Sequence, residues 1–166
     1  MDWDQYFMSM AYMVAMKSKD ESTKVGTVIV DSDNEILATG YNNFPRGFED
    51  SIPERQQKPL KLRIMVHSEL NACLSAARKG MRLRGGRLYC TWPCCEQCAL
   101  AIVQSGVKEV IVHKDNPVPD SWADSITFAK QTLSEGGVSY REWSGDIVVP
   151  HMFTGGKAHK FPLDPK

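Results

Sequence analysis

The residues in this sequence best placed to do chemistry are His67, Glu69, Cys95 and Cys98. Cys95-Glu96-Gln97-Cys98 is a Cys-x-x-Cys pair, and at a helix start such a pair brings two sulfurs within reach of one ion. A helix N-terminus also favours thiolate, the form that binds zinc. One nitrogen from His67 makes a third ligand. Structural zinc sites close with four protein ligands, whereas three ligands plus water make the catalytic arrangement. No second Cys-x-x-Cys or histidine pair stands at a spacing that would close the set. That asymmetry favours catalysis. Glu69, two residues past His67, can sit beside the ion on a forming helical turn without binding it. There it can take a proton from the metal's water and pass it on. Zinc lowers the pKa of that water from about 15.7 to roughly 7, which supplies hydroxide at neutral pH. Hydrolytic deamination of a cytosine ring needs this combination: hydroxide at C4, a proton at N3 and another for the departing ammonia.

Each signal has an ordinary explanation when it stands alone. A single histidine before a helix is usually a cap or a surface residue, and a single Cys-x-x-Cys suits a redox pair or half a zinc finger. Cys94 competes with Cys95 as a ligand, but only Cys95 has the two-residue gap to Cys98. Cys73 and Cys90 lie on apolar periodicities and read as core residues.

The surrounding pattern supplies elements to position these groups. Trp3, Tyr6, Phe7, Met10 and Val14 repeat at helical spacing over 2–17. Two β-rich runs, 25–30 and 35–40, flank the polar turn Asp31-Ser32-Asp33-Asn34 and predict an antiparallel hairpin. A long polar connection, 41–63, follows. Residues 65–79 predict a helix with Leu70, Cys73, Leu74 and Ala77 on one face, stopped at Gly80. Then come a strand at 87–91, a helix at 95–105 and a strand at 109–113. A helix at 121–134, capped by Asp120 or Ser121, leads to a last strand at 138–142. Alternation with short joints implies parallel strands and right-handed crossovers, hence a five-stranded mixed sheet covered by helices on both faces.

A chain of 166 residues suits one core and one domain, 1–166, with an irregular tail over about 143–166. Lys plus Arg and Asp plus Glu balance at 20 each, so no global field favours a polynucleotide partner. The N-terminus lacks a signal-peptide pattern, and no apolar run is long enough to span a membrane. Five cysteines, three of them within 94–98, fit a metal cluster better than disulfide staples, so a cytoplasmic location is expected.

His-x-Glu followed by a Pro-Cys-x-x-Cys type of segment marks zinc nucleobase deaminases. On these residues the sequence resembles the cytidine/deoxycytidylate deaminase superfamily, and within it the dCMP deaminase family most closely. The likeness runs from about Trp3 to Asn116 and includes Lys24–Val30, Gly40–Gly47 and His67–Asn71. It implies a three-layer α/β/α cytidine-deaminase-like fold and zinc-dependent hydrolysis of dCMP to dUMP and ammonia, supplying dUMP for thymidylate synthesis. By the same resemblance Asn42 would bind the sugar, the Gly26-Thr27 backbone would lie beside the base, and the Ser68 N–H would hold the pyrimidine carbonyl. Asn116 would contact the nucleotide. Activation by dCTP, inhibition by dTTP, a homohexamer and magnesium at the effector site are also implied. Lys24, Asn42, Asn43, Arg46 and Gly47 are the candidates for that effector site. The sequence departs from the family pattern at Ser68, where alanine is common, at Cys94, where proline is, and at Asn43, where glycine is.

Two other functions compete. Deamination of adenosine in tRNA, or of another base, would call for a basic groove, and Arg78, Lys79, Arg82, Arg84 and Arg87 form a local basic run. A non-enzymatic zinc-stabilised binding module would need a fourth ligand and would give Glu69 no role.

Overall fold

The structure, a computed structural model, describes residues 1–148 and the backbone of 151–154 and 157–160. Asp2 caps helix α1 (Trp3–Ala15) by accepting from the Gln5 N–H. Strands β1 (Gly26–Val30) and β2 (Ile36–Tyr41) follow, joined by a turn in which Asn34 takes a positive φ of 68°. A short helix α2 (Leu60–Ile64) precedes α3 (Ser68–Lys79), β3 (Arg87–Cys90), α4 (Glu96–Ser105) and β4 (Glu109–His113). Helix α5 (Ala123–Glu135) leads to β5 (Ser139–Trp143), and a two-stranded antiparallel ribbon pairs β6 (His151–Thr154) with β7 (Lys157–Lys160).

The sheet order is β2-β1-β3-β4-β5, with β1 antiparallel to both neighbours and β3, β4 and β5 parallel. The expected five-stranded mixed sheet is present. Every residue of β1 is buried because helices cover both of its faces. Val28 and Val30 join Phe7, Met8 and Ala11 of α1, while Ile29 faces the other way into a cluster with Ala72, Ala76, Cys98 and Ile102. α1 thus covers one face. α3, α4 and α5 share the other.

The long connection 41–63 holds a 3-10 turn (Pro53–Gln56) and most of α2. Three expectations need correction. The helix start expected at Asp120 and Ser121 is a 3-10 turn, and α5 begins at Ala123 with no side-chain cap. Trp143 ends β5, and β6 and β7 occupy part of the tail expected to be irregular; 149–150, 155–156 and 161–166 lie outside the described residues. Most instructive is α3. Its buried positions are Ser68, Glu69, Ala72 and Ala76, and Leu74 is half exposed. Small residues face the sheet because α3 lies almost against the β2 backbone. A Cβ on Gly40 would meet the Ser68 carbonyl oxygen at 2.2 Å and the Ala72 nitrogen at 2.4 Å. Leucine on that face would hold the helix away.

Candidate active site

Two helix starts face each other. His67 is the N-cap of α3 and Cys95 the N-cap of α4, both in extended backbone, and neither spends its side chain on capping its own helix. Imidazole and thiol turn instead toward one another. His67 Nδ1 lies 3.3 Å from Cys95 Sγ and 3.6 Å from Cys98 Sγ. One donor atom from each residue falls within 4.8 Å of the others, and no fourth His, Cys, Asp or Glu joins them among the described residues. One imidazole nitrogen and two sulfurs are a donor set that suits zinc, with the last tetrahedral position left to a non-protein ligand. Cys94 stays outside this group, and burial pushes its thiol up.

Glu69, on the first turn of α3, is 4% exposed. Burial pushes its carboxyl up, against the pull of the His67 charge. Its Oε2 accepts a 2.9 Å hydrogen bond from Ser68 Oγ. The hydrogen bond from Cys98 and the one with His67 hold Cys95 down to about 4, although burial opposes them. Cys98 is pushed up in turn by its bond to Cys95. His67 is pushed up by its bond to Cys95 and then by the charge of Glu69.

A cavity of about 230 Å³ opens over this cluster, with His67, Ser68, Glu69 and Cys95 along its lining. Trp122 stands 6.1 Å from the His67 ring and meets Trp92 edge to face at 5.5 Å, which makes that wall aromatic. The opposite wall is polar. Asp20 and Lys61 form a buried ion pair at 2.5 Å, and Ser22 donates to the same carboxylate. Lys58 lines the cavity without a carboxylate partner among the described residues, whereas the cavity's other lysine, Lys61, is neutralised.

The residues expected to hold substrate separate. Asn42 and Ser68 line the cavity. Asn42 is already committed: its Oδ1 accepts from the Val25 N–H, and its Nδ2 donates to Thr23 O and Asp20 Oδ2. Gly26 and Thr27 do not reach the lining. The Gly26 N–H donates to Thr91 Oγ1, its carbonyl accepts from the Thr91 N–H, and the Thr27 hydroxyl pairs with Ser68. Asn116 is likewise turned aside to donate to Thr91 O, and Pro119, Ser121 and Trp122 of the same connection take the wall. Of the effector-site candidates, Asn43, Arg46 and Gly47 line a second cavity of about 180 Å³. Asn42 belongs to the first cavity, and Lys24 donates to Ser18 O instead of lining either.

Lys58, the Asp20–Lys61 pair and Trp122 escaped the reading of the sequence. Lys58 and Lys61 lie in the long polar connection 41–63, and Trp122 inside the helix expected at 121–134. Nothing in the spacing joins residues 20 and 61.

Residues 1–114 match the family model described as the cytidine and deoxycytidylate deaminase zinc-binding region. A probable deoxycytidylate deaminase of Drosophila melanogaster is 40% identical over 151 residues, spanning 84% of this chain and 71% of that protein. The Homo sapiens deoxycytidylate deaminase is 35% identical over 148 residues, spanning 86% and 80%. The crystal structure of dCMP deaminase from cyanophage S-TIM5 in complex with dCMP and dUMP superposes with a TM-score of 0.68 at 27% identity, covering 84% of this chain and 95% of that one.

Proposed function

This chain belongs to the cytidine and deoxycytidylate deaminase family, and on that premise we propose that it hydrolyses dCMP to dUMP and ammonia. The observation that carries the reading is a buried carboxylate, Glu69, next to a three-donor cluster at the base of a cavity. His67, Cys95 and Cys98 would hold one zinc ion, which supplies an activated water when bound. Glu69 takes the proton released as water adds to C4 and delivers it to N3. A second proton passes through the same carboxylate to the departing ammonia. The Ser68 N–H, in the first turn of α3 and so without an intrahelical acceptor, is available to the pyrimidine carbonyl. Trp122 and Trp92 give the ring an apolar wall.

Lys58 supports a substrate that carries a phosphate: it is an exposed lysine lining the cavity, with no carboxylate partner among the described residues. The second cavity supports an effector site. Asn43, Arg46 and Gly47 line it, and the buried Asn43 Oδ1 has no hydrogen-bond partner. There dCTP would activate and dTTP inhibit, with magnesium bound beside the triphosphate. A homohexamer in the cytoplasm completes the reading; among the described residues no helix is long and apolar enough to cross a membrane. Deamination of a base in tRNA draws no support from the basic run, because Arg78 and Lys79 end α3 while His67 begins it. Twelve residues of helix separate the two ends, roughly 18 Å at 1.5 Å per residue.

Steady-state assay of dCMP, deoxycytidine, CMP and a tRNA stem-loop tests the reading. Turnover of dCMP is expected to exceed that of deoxycytidine by a wide margin, and equal rates would refute recognition of the phosphate. Glu69→Gln is expected to fold and hold zinc, yet lose about 10²- to 10⁴-fold in kcat, the usual share of a general acid–base group. Lys58→Ala should raise KM for dCMP by roughly tenfold or more, as for a lost charge-assisted hydrogen bond, with kcat little changed.

A further inference from the structure

Ser68 is fully buried, so its hydroxyl must find its partners inside the protein. It has three: Glu69 Oε2 at 2.9 Å, Thr27 Oγ1 at 2.8 Å and Cys90 Sγ at 3.7 Å. Thr27 Oγ1 in turn lies 3.4 Å from Cys90 Sγ. Each hydroxyl or thiol carries one proton to donate, and an ionised carboxylate only accepts. The directions follow. Ser68 gives its proton to Glu69, so toward Thr27 it can only accept, and Cys90 Sγ lies beside both hydroxyls.

We propose that Thr27 and Ser68 form a one-way hydrogen-bond relay that clamps Oε2 of Glu69, leaving Oε1 as the oxygen that moves protons in the proposed deamination. The terminal torsion of a glutamate is broad and nearly two-fold, so without a clamp its oxygens exchange roles. Proton transfer needs a heavy-atom distance of about 2.6–3.2 Å. A carboxylate held by one oxygen keeps the other in range. Ser68 and Thr27 are positioning residues. They act through Glu69, to which Ser68 is bonded directly and Thr27 by way of Ser68.

The inference rests on the dCMP reading for its kinetic test and on Glu69 alone for its structural one. Ser68→Ala is expected to lower kcat for dCMP by roughly three- to tenfold, with KM within about twofold and one zinc still bound per chain. The isosteric Thr27→Val should lower kcat by less. The double variant should match Ser68→Ala within about twofold, because Thr27 acts through Ser68. Thermal unfolding reads the clamp without catalysis: Ser68→Ala should lower Tm in the chain that keeps Glu69 and by less than half as much beside Glu69→Ala. An unchanged kcat, losses that multiply in the double variant, or equal Tm shifts in the two backgrounds would each overturn the relay. If the unaltered protein fails to turn over dCMP, the substrate reading falls, and the two Tm shifts still decide whether the clamp exists.

Discussion

Cys94 and Cys95 are neighbours in the chain whose thiols are driven in opposite directions. Cys94 lies in the apolar cluster, where burial raises its thiol; Cys95 faces His67 and is held down to about 4 by Cys98 and then His67. The contrast makes a sharp prediction about metal binding. Cys94→Ser puts a hydroxyl in an apolar place and should cost about 1–3 kcal/mol of stability while one zinc stays bound. Cys98→Ser should lose the zinc on dialysis and unfold at a lower temperature, since ligation and folding are coupled. Metal analysis of the two purified variants decides it, and zinc lost from the Cys94 variant alone would reverse the assignment. Spacing made this cluster legible from the sequence, because His-x-Glu and Cys-x-x-Cys are local patterns at helix starts. Its neighbours Lys58, Trp122 and Asp20 were not legible: Lys58 and Asp20 reach the cavity from connections with no periodicity, and Trp122 from a 3-10 turn where a helix was expected. Gly26 and Asn116, expected beside the substrate, both bond Thr91: Gly26 through its N–H and carbonyl, Asn116 through Nδ2.

Element by element, strands and helices followed from alternation and Gly stops, while the face that each helix buries did not. On α3 an apolar stripe through Leu70 and Leu74 suggested the buried side, yet Ser68, Ala72 and Ala76 are the residues with no exposure. Hydrophobic periodicity marks burial only when the partner surface stands at ordinary distance. Here Gly40 removes that distance, and the helix that carries His67 and Glu69 rests on backbone. Gly40→Ala tests how far the site depends on this approach. The new methyl meets the Ser68 oxygen and the Ala72 nitrogen and Cα, all backbone atoms of one helix, so no side chain can swing aside. A loss of roughly 1–3 kcal/mol or more is expected from overpacking. α3 must also move, so zinc should leave faster to a chelator. Unfolding in urea and zinc-release kinetics on the same samples check both parts, and a destabilised protein with unchanged zinc release would mean that α3 does not set the site's geometry.

Across the whole molecule, the cavity joins parts of the chain that are far apart in sequence, and one buried ion pair fastens two of them. Asp20 precedes β1, Lys61 lies on α2, and both are almost fully buried. The same carboxylate accepts from Ser22 and Thr23, and through Asn42 it is tied to the end of β2. Burial alone would push the Asp20 carboxyl up, but the Lys61 hydrogen bond and those from Thr23 and Ser22 outweigh it and leave it below the ordinary carboxylate range. A depressed value in the folded state means that the unfolded chain binds protons first as pH falls. The pair therefore contributes its stability in full above the unfolded value of about 3.9 and loses it as pH drops through the lower folded value. Asp20→Asn leaves Lys61 buried without its counter-charge, which should cost about 3–5 kcal/mol at neutral pH. Below about pH 4 the gap between the two proteins should narrow, since protonation deprives the unaltered chain of the same charge. Acid also releases zinc through the histidine and the thiolates, but it does so in both proteins, so the difference between their urea midpoints isolates the pair. A gap that stays constant from pH 7 down to 3 would show that Asp20 holds this wall by hydrogen bonding alone and that its charge does nothing for the fold.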